Sequence, residues 1–387
     1  MRAIIIGGGI GGLTVAIALR RAVIEATVYE RAPEPREVGA GIGLWGNAIG
    51  ALRTIGLAEA VIDRGEVARS AEVRDARGRV LSHIDAAAGG LGPEPTVVIH
   101  RADLLDVLLG ALSAESVRFG HTLARFEQDE SGVIALFGEG REGRGDVLIG
   151  ADGLNSAVRA QLLGPRPARY SGYTCWRGVV TFPEGRVPPG TIAEVWGRGR
   201  RFGITRIGGG RLYWWATINA PPSPLEQGAL DAGAKGILVR SHAGFAQPVP
   251  DIIAATDPAR IVRNDIYDRP PIDRWSRGRV ILTGDAAHPT TPNLGQGGCM
   301  AIEDGVILPR FLIGVDAHDS SAVADAFESF ARHRRSRCAS IVRQSRFFGR
   351  ICQWESPVLC WGRDRFMRLI GPLSARAAAR TLGTFHG

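Results

Sequence analysis

The chain has 387 residues, of which 45% are hydrophobic and 22% are charged, and this composition excludes a disordered or fibrous chain. Its length exceeds the usual size of one domain, so we expect two. The net charge is +8, and residues 331–387 carry twelve arginines against Glu355 and Asp364. Apolar residues recur there at helical spacing, which favours arginines on the solvated face of packed helices over a surface for nucleic acid or membranes.

Cysteine and histidine usage limits the kinds of site. The five cysteines are an odd number without a C-x-x-C pair, which is typical of free thiols in a reducing compartment. The eight histidines are scattered, and with no local cluster of His and Cys we expect no metal site. No apolar run beyond the N-terminus approaches membrane-spanning length, so we expect a cytoplasmic protein without a membrane span.

The first predicted element is a strand, turn and helix. The stretch IIIGGGIGGLTVAIAL places Gly7, Gly9 and Gly12 at G-x-G-x-x-G spacing, and a second strand delivers Glu30, 18 residues after Gly12. Such glycines let the backbone approach a pyrophosphate, the helix N-terminus supplies free N–H groups, and the acid holds the adenosine ribose. The unit predicts FAD or NAD, because Glu30 would repel the 2′-phosphate of NADP.

The elements that follow alternate between strand and helix before the composition changes. Two further copies of the glycine spacing, starting at Gly41 and Gly138, are interpreted as turns because neither leads into an apolar helix. Residues 170–271 are rich in Trp, Gly, Pro and β-branched residues, which predicts antiparallel strands joined by glycine turns. The other predicted elements are a helix over 48–62, a strand over 97–99 with a helix after it, strands over 116–126, 132–137 and 146–149, a helix near 224–243, and C-terminal helices.

Two later motifs share one pattern, in which an apolar strand ends in glycine and delivers an aspartate to the carboxyl end of a sheet. DVLIGADGLNSAVR presents Asp152, and RVILTGDAAHPTTPNLGQGGCMAIEDG presents Asp285. Ligands of open α/β sheets bind at such strand ends. Gly295, Gly297 and Gly298 follow Asp285 at the mouth of a helix, whose N-terminus would stabilise the negative charge of a reduced flavin.

The order of these elements predicts an α/β fold. It consists of a split Rossmann-like FAD-binding domain with an inserted β-rich (α+β) domain and C-terminal helices. We assign residues 1–70, 97–169 and 272–387 to the FAD-binding domain with the C-terminal helices. Residues 71–96 and 170–271 are assigned to the substrate-binding domain.

The three motifs in this order resemble the FAD-dependent aromatic monooxygenases of the p-hydroxybenzoate hydroxylase family. The resemblance covers essentially the whole chain, through GGGIGG with Glu30, REVGAGIGL, HRADLLDVL, GADGLNSAVR and GDAAHPTTPNLGQGG. Within the family, YSGYTCWRGVV, GRGRRFG and GGCMAIEDGVIL resemble the compact urate hydroxylases, salicylate-type hydroxylases and zeaxanthin epoxidase-like enzymes.

The resemblance implies roles in holding FAD. Glu30 would bind the adenosine ribose, Arg101 would reach the ribityl and pyrophosphate region, and Asp285 would hold one of these two groups. Asp152 lies in a motif linked to FAD and the nicotinamide cofactor, and its alternative role is to cap the next helix; for Arg36 the alternative is an exposed loop arginine. The implied cofactor-binding residues are Gly7, Gly9, Gly12, Glu30, Arg31, Arg36, Gly41, Arg101, Asp152, Asp285, Pro292, Gly295, Gly297 and Gly298, of which those from Pro292 onwards would line the isoalloxazine.

The resemblance also implies a reaction. NADH or NADPH would visit transiently to reduce FAD, because no second Rossmann unit is evident, and O2 would then form a flavin C4a-hydroperoxide that hydroxylates a small aromatic or heteroaromatic substrate. The alternatives are an epoxidase or oxidase acting on a larger secondary metabolite or polyene, and a flavin-binding protein without turnover. We expect a monomer or homodimer, and no nucleic-acid partner.

Arg201 and Tyr213 are the candidate catalytic residues. A positioned arginine and a hydrogen-bonding tyrosine favour an anionic or phenolic substrate, and three glycines between them would make their strands neighbours. Packing is the alternative role for a strand tyrosine. Side chains alternate along a strand, so at most one of Trp214 and Trp215 faces a pocket. His288 is interpreted as structural, and no general base is assigned.

Overall fold

The computed structural model describes residues 1–35, 40–85, 94–223 and 233–385, without the side chains of 372–382. Strands dominate its first two thirds and helices its last third. The strands are β1 (Arg2–Ile6), β2 (Glu25–Tyr29), β3 (Gly41–Leu44), β4 (Glu66–Val67), β5 (Ser70–Asp75), β6 (Val80–Asp85), β7 (Val97–His100), β8 (Val117–Arg118), β9 (Leu123–Gln128), β10 (Val133–Phe137), β11 (Glu142–Gly145), β12 (Val147–Gly150), β13 (Arg169–Thr181), β14 (Thr191–Trp196), β15 (Arg200–Arg206), β16 (Arg211–Asn219), β17 (Val262–Asp268), β18 (Ser276–Arg277) and β19 (Val280–Leu282). The α-helices are α1 (Ile10–Arg21), α2 (Gly46–Thr54), α3 (Ala58–Arg64), α4 (Arg101–Gly110), α5 (Ala157–Leu163), α6 (Ala234–His242), α7 (Val249–Ala255), α8 (Gly297–Ile307), α9 (Pro309–Leu312), α10 (Ser320–Cys352) and α11 (Pro357–Leu382).

A six-stranded sheet carries the three sequence motifs. Its order is β18, β19, β12, β1, β2 and β8, and all neighbours are parallel except β18 and β19. The strand β1 lies centrally, with Ile4 paired to Thr27 on one side and to Leu148 on the other. It is buried because it packs against other elements on both faces, as near-continuous apolar runs in parallel sheets do. The predicted α/β fold with a Rossmann-like unit is confirmed.

A seven-stranded sheet forms the β-rich part, in the order β17, β13, β16, β15, β14, β5 and β6. Its neighbours are antiparallel except β14 and β5, which are parallel. Three consecutive glycines with positive φ, residues 208–210, join β15 to β16. This turn makes the strands of Arg201 and Tyr213 neighbours, as the sequence predicted.

The two faces of this sheet have different partners. On one face, Trp214 packs in an apolar cluster with Phe202 and with residues of α6 and α7. On the other face, Tyr213 and Trp215 lie close together, with ring centroids 5.5 Å apart, and Tyr213 packs with Val98 of β7. We call this second face the inner face. Trp214 and Trp215 therefore point to opposite sides, as alternation predicted.

Three predicted elements were wrong in detail. The helix expected over 48–62 divides into α2 and α3, because Gly56 between them adopts a left-handed φ of 69°. The strand expected over 116–126 divides at Gly120 (φ 71°) into β8 and β9, which join different sheets. Gly41 was interpreted as a turn, but it lies in β3 opposite His100, and β3 leads into α2.

Other expectations stand differently. Gly138 lies in a short 3-10 turn, as predicted. The helix expected near 224–243 is described only as α6, since residues 224–232 lie outside the described ranges. The strands β5 and β6 were not predicted individually, yet they extend the seven-stranded sheet. The division into two domains stays a prediction.

Candidate functional site

The turn after β1 is shaped by three glycines with different duties. A Cβ at Gly12 would lie 1.9 Å from the Gly7 carbonyl oxygen, and one at Gly7 (φ 109°) would lie 2.5 Å from that of Ala151. Both positions therefore exclude a side chain so that strand and helix can approach. Gly9 differs, because a Cβ there would meet no atom within 4 Å. The open space at Gly9 borders the N-terminus of α1, where the first N–H groups have no acceptor within the helix.

Glu30 ends β2 beside this turn. Its Oε2 accepts a hydrogen bond from the Gly8 N–H at 2.7 Å, and its Oε1 accepts one from the Ala32 N–H at 2.8 Å. The carboxylate is therefore fixed at the edge of the glycine turn, where the sequence placed it. Arg31 is exposed, with no polar contact recorded within the described ranges. Arg36 lies outside them.

Asp152 lies next to the same turn, since a Cβ at Gly7 would be 3.0 Å from its Cα. Its Oδ2 accepts hydrogen bonds from Ala157 N–H (2.7 Å) and Val158 N–H (3.2 Å) at the start of α5. The capping role is thus present. Its Oδ1 is buried without a hydrogen-bond partner in the described chain, and burial raises the pKa of the carboxyl. One oxygen remains available to a bound group.

A second open helix N-terminus lies nearby, at α8. Gly295 (φ 63°) precedes it, and a Cβ there would lie 2.8 Å from the Trp45 indole nitrogen. At Gly298 a Cβ would lie 2.8 Å from Ile42 of β3. The glycines therefore let β3 and the segment around Trp45 pack closely against the turn that begins at Pro292. The two helices also touch, because a Cβ at Gly11 of α1 would lie 3.2 Å from that of Ala301.

Arg101 and Asp285 line a cleft between these elements. Both side chains reach solvent although protein surrounds them. Burial raises the pKa of Asp285, and His288 and Arg101 oppose that shift. Burial lowers the pKa of Arg101, the like charge of Arg177 lowers it further, and Asp285 opposes both. Arg101 therefore lies within electrostatic reach of one acid and one other guanidinium.

These features fit FAD. Two helix N-termini offer unpaired N–H groups to negative charge, Gly9 leaves space for a phosphate, and the carboxylates of Glu30 and Asp285 can accept from sugar hydroxyls. Asp152 contributes a further unpaired acceptor. The structure thus brings together the three motifs of the sequence around one cleft.

The inner face of the seven-stranded sheet presents the candidate substrate contacts. Trp215 lies over Gly203 of the next strand, where a Cβ would be 1.9 Å from the indole. Tyr213 packs on Gly41, where a Cβ would be 2.6 Å from the phenol ring. The rows that cross β13, β16, β15 and β14 on this face are Val179, Tyr213, Thr205 and Ile192; Arg177, Trp215, Gly203 and Glu194; and Cys175, Thr217, Arg201 and Trp196.

Arg201 is buried and fully engaged. Its Nη2 donates to Asn293 Oδ1 at 2.7 Å, its Nε to Gln353 Oε1 at 3.1 Å, and its Nη1 to Glu194 Oε1 at 3.3 Å. Its side chain is 4% exposed. Tyr213 has no recorded hydrogen bond to its hydroxyl within the described ranges, and burial raises its pKa to about 12. It stays a neutral phenol near pH 7, able to donate or accept.

Asn293 was missed by the sequence reasoning. It lies in the turn before α8, where its Nδ2 donates to the Tyr173 hydroxyl (2.9 Å), Thr291 Oγ1 (2.8 Å) and the Ser345 carbonyl (3.1 Å). Together with Arg201, these bonds tie the turn to the inner face and to α10. The only sequence signal was its place in PTTPNLG, one residue after Pro292.

His288 belongs to a buried charge network. Its Nε2 lies 2.7 Å from Asp304 Oδ2, and Arg334 Nε donates to Asp304 Oδ1 at 2.8 Å. Burial opposes a charged His288, but Cys338 and Asp304 together raise its pKa. Ligand atoms of His288, Asp304 and Cys338 lie within 4.8 Å of one another. The guanidinium on Asp304 already balances its charge, and the absence of a metal site stays a prediction.

Comparisons with known proteins agree with this cleft. The family of FAD binding domains matches residues 1–184 and 262–345. Aurachin C monooxygenase/isomerase of Stigmatella aurantiaca is 42% identical over 380 residues, which cover 98% of this chain and 96% of that protein. FAD-dependent urate hydroxylase of Klebsiella pneumoniae is 36% identical over 352 residues, 89% of each chain. The crystal structure of Klebsiella pneumoniae HpxO with FAD and uric acid is similar, with a TM-score of 0.90 at 32% identity, over 98% of this chain and 96% of that one.

The fold and the cleft define a flavoprotein oxidoreductase with FAD as its cofactor. The chain belongs to the FAD-dependent monooxygenases of the p-hydroxybenzoate hydroxylase type. Within the described ranges, no helix is both long enough and apolar enough to cross a membrane.

Proposed function

We propose that this monooxygenase uses NADH or NADPH and O2 to hydroxylate a small aromatic or heteroaromatic substrate. The observation that carries the proposal is the position of the inner face. Tyr213 of that face packs directly on Gly41, in the strand that lies against the N-terminus of α8. A planar substrate on the inner face would therefore lie beside the isoalloxazine part of the FAD cleft.

FAD supplies the redox chemistry when bound, because its reduced ring activates O2. The chain holds and orients it. Glu30 and the turn at Gly7, Gly9 and Gly12 would hold the ADP half. Asp285 and Arg101 would hold the ribityl and pyrophosphate region. The residues assigned to the isoalloxazine side are Gly41, Pro292, Gly295, Gly297 and Gly298, while Arg31, Arg36 and Asp152 are assigned to the cofactor more generally.

A cationic region beside Asp152 supports a visiting nicotinamide cofactor. Arg159 lies in the Asp152 motif and donates to the carbonyls of Ala286 and Ala287. Burial, followed by the like charges of Arg269 and Arg166, lowers the pKa of Arg159 to about 10. Within the described chain none of the three is in an ion pair with a carboxylate, and Arg166 is exposed. Such an uncompensated region attracts phosphate groups.

The substrate would contact the inner face, in the domain that we assign to residues 71–96 and 170–271. Trp215 and Tyr213 provide aromatic surface, and the Tyr213 hydroxyl is available for a hydrogen bond. Arg201 acts on the substrate region through its hydrogen bonds, since its three nitrogen atoms already donate to the protein. We therefore assign it the positioning of Glu194, Asn293 and Gln353.

The test is NADH and NADPH consumption by the purified yellow protein over a panel of hydroxybenzoates, salicylate, urate, hydroxyquinolines and a polyene. Product mass and peroxide are recorded together. A compound that stimulates oxidation and gains one oxygen atom with little peroxide supports the proposal. Tyr213→Phe serves as the matched variant, because it removes one hydroxyl, and we expect weaker substrate stimulation with FAD still bound.

Other outcomes decide between the remaining functions. An oxygenated polyene would favour an epoxidase, and stoichiometric peroxide with every compound would favour an oxidase. A protein that binds FAD but never oxidises NADH or NADPH would contradict the proposal and favour a flavin-binding protein without turnover.

A further inference from the structure

The inner face carries two guanidiniums with opposite electrostatic situations. Arg201 is paired with Glu194 and buried among protein acceptors. Arg177 lies one row away, opposite Trp215, and is half-buried. Within residues 1–35, 40–85, 94–223 and 233–385, no carboxylate forms an ion pair with Arg177, and its polar neighbour is the Cys175 thiol.

The acid nearest in the row of Arg177 has no free oxygen for it. Glu194 Oε1 accepts from Arg201 Nη1 and from the Trp215 indole N–H at 3.1 Å. Glu194 Oε2 accepts from the Trp196 indole N–H at 2.6 Å. The inner face therefore keeps one uncompensated positive charge, between aromatic side chains.

The surroundings of Arg177 add positive charge. Across the cleft, the like charge of Arg177 acts on Arg101, which begins α4 directly after the residue paired with Gly41. Tyr213 packs on Gly41 and is the diagonal neighbour of Arg177 on the inner face. Two guanidiniums of one sign in a partly desolvated cleft repel each other, so an anion between them is stabilising.

We propose that Arg177 binds the substrate's anionic group, a carboxylate or an ionised ring oxygen, and so selects aromatic anions. This inference rests on the proposed function. A guanidinium recognises such groups through charge-assisted and often bidentate hydrogen bonds. Trp215 and Tyr213 flank the position, so the ring of the ligand lies on the same face as its charge. Arg201 keeps the face in shape, and Arg177 reads the ligand.

The experiment uses the FAD-loaded protein and two matched pairs of ligands, benzoate with benzamide and salicylate with salicylamide. Binding is measured through the perturbation of the flavin absorbance spectrum, without turnover. The variants are Arg177→Gln and Arg177→Lys. Arg200→Gln is the control, because Arg200 lies on the neighbouring strand, points to the opposite face and stacks on Phe245 at 5.8 Å.

We expect the native protein to bind each anion at least about tenfold more tightly than its amide, the scale of one charge-assisted hydrogen bond. Arg177→Gln should remove that preference while leaving amide binding unchanged. Arg177→Lys should retain part of it, and Arg200→Gln all of it. The same measurements at higher ionic strength should show a smaller anion preference in the native protein only.

Three results would overturn the inference. One is a native protein that shows no preference for either anion. Another is an anion preference that survives in Arg177→Gln. The third is a variant in which the preference persists while FAD affinity or the flavin midpoint potential falls, which would assign the charge of Arg177 to the cofactor. Because these measurements need no NADH or NADPH, failure of the proposed hydroxylation would show separately in the product assay.

Discussion

Arg201 Nη2 donates a hydrogen bond of 2.7 Å to Asn293 Oδ1, which joins the centre of the seven-stranded sheet to the turn before α8. The residues are 92 positions apart in the chain. Tyr173 joins the same amide from the neighbouring strand β13, and burial raises its pKa to about 12, so it is a neutral phenol. The substrate-facing sheet and the flavin-facing turn are therefore held by one polar network.

Asn293→Ala should weaken that network. The substitution leaves the Arg201 guanidinium and the Tyr173 hydroxyl without a buried partner, and each such loss costs about 1–3 kcal/mol. We expect a lower unfolding midpoint and weaker FAD binding, measured by thermal unfolding and flavin fluorescence. Thr290→Ala is the control in the same turn, since its hydroxyl makes one bond of 3.4 Å. Equal behaviour of the two variants would show that the network does not hold the turn.

Gly9→Ala separates folding from cofactor binding. Gly9 has φ −78° and ψ −177°, which alanine adopts, and a Cβ there meets no protein atom within 4 Å. We expect unchanged stability of the FAD-free protein, with FAD affinity at least about tenfold lower, because the methyl group occupies space for the pyrophosphate. Gly110→Ala, which also has open space, should bind FAD normally. Native affinity in Gly9→Ala would place the phosphates elsewhere.

Gly203→Ala should disturb the inner face selectively. A Cβ at Gly203 would lie 1.9 Å from the Trp215 indole, so the ring must move and its hydrogen bond to Glu194 must break. Such overpacking costs about 1–3 kcal/mol. Gly178→Ala is the matched control, because its Cβ would press on Trp214 of the opposite face at 2.7 Å. We expect both variants to lose stability, but only Gly203→Ala to lose binding of aromatic ligands in the flavin absorbance assay.

Asp304 should govern stability in acid. Burial opposes its ionisation, but His288 and Arg334 lower its pKa to about 2, from an ordinary value of 3.8. The ionised carboxylate therefore contributes stability that is present above pH 3.8 and is lost as the pH falls towards 2. Asp304→Asn leaves two buried cations unpaired, and we expect a loss of about 3–5 kcal/mol at neutral pH.

Urea unfolding at several pH values checks this expectation. The gap between native protein and Asp304→Asn should be widest at neutral pH and should narrow below pH 4. His288 acts in the same direction, since its raised pKa preserves its contribution below 6.5 and loses it only as the pH rises through the folded value. The exposed Asp316→Asn is the control. A gap that stays constant down to pH 3 would refute the assigned charge of Asp304.

The comparison of sequence with structure separates local from distant relationships. The unit from β1 to Glu30 was predictable because its strand, turn, helix and acid lie within 30 residues and each follows from local composition. The pairing of β15 with β16 was predictable for the same reason, since three glycines with positive φ form the turn. Asp152 and Asp285 were recognised because each ends an apolar strand.

The role of Arg201 was not predictable in this way. Its motif suggested a substrate contact, whereas the structure gives its guanidinium three protein acceptors, of which Gln353 lies 152 residues away. Gly41 shows the same limit. Its spacing suggested a turn, but pairing with β7 and packing by Tyr213 keep it in a strand.

The sequence by itself determined the class of fold, the cofactor and the three motifs that surround it, because these depend on strand–glycine–acid patterns within short segments. Only the tertiary structure decided which charges are satisfied. A guanidinium at one position is neutralised and another is left uncompensated according to which acids fold against it, and those partners come from strands and helices that are remote in sequence.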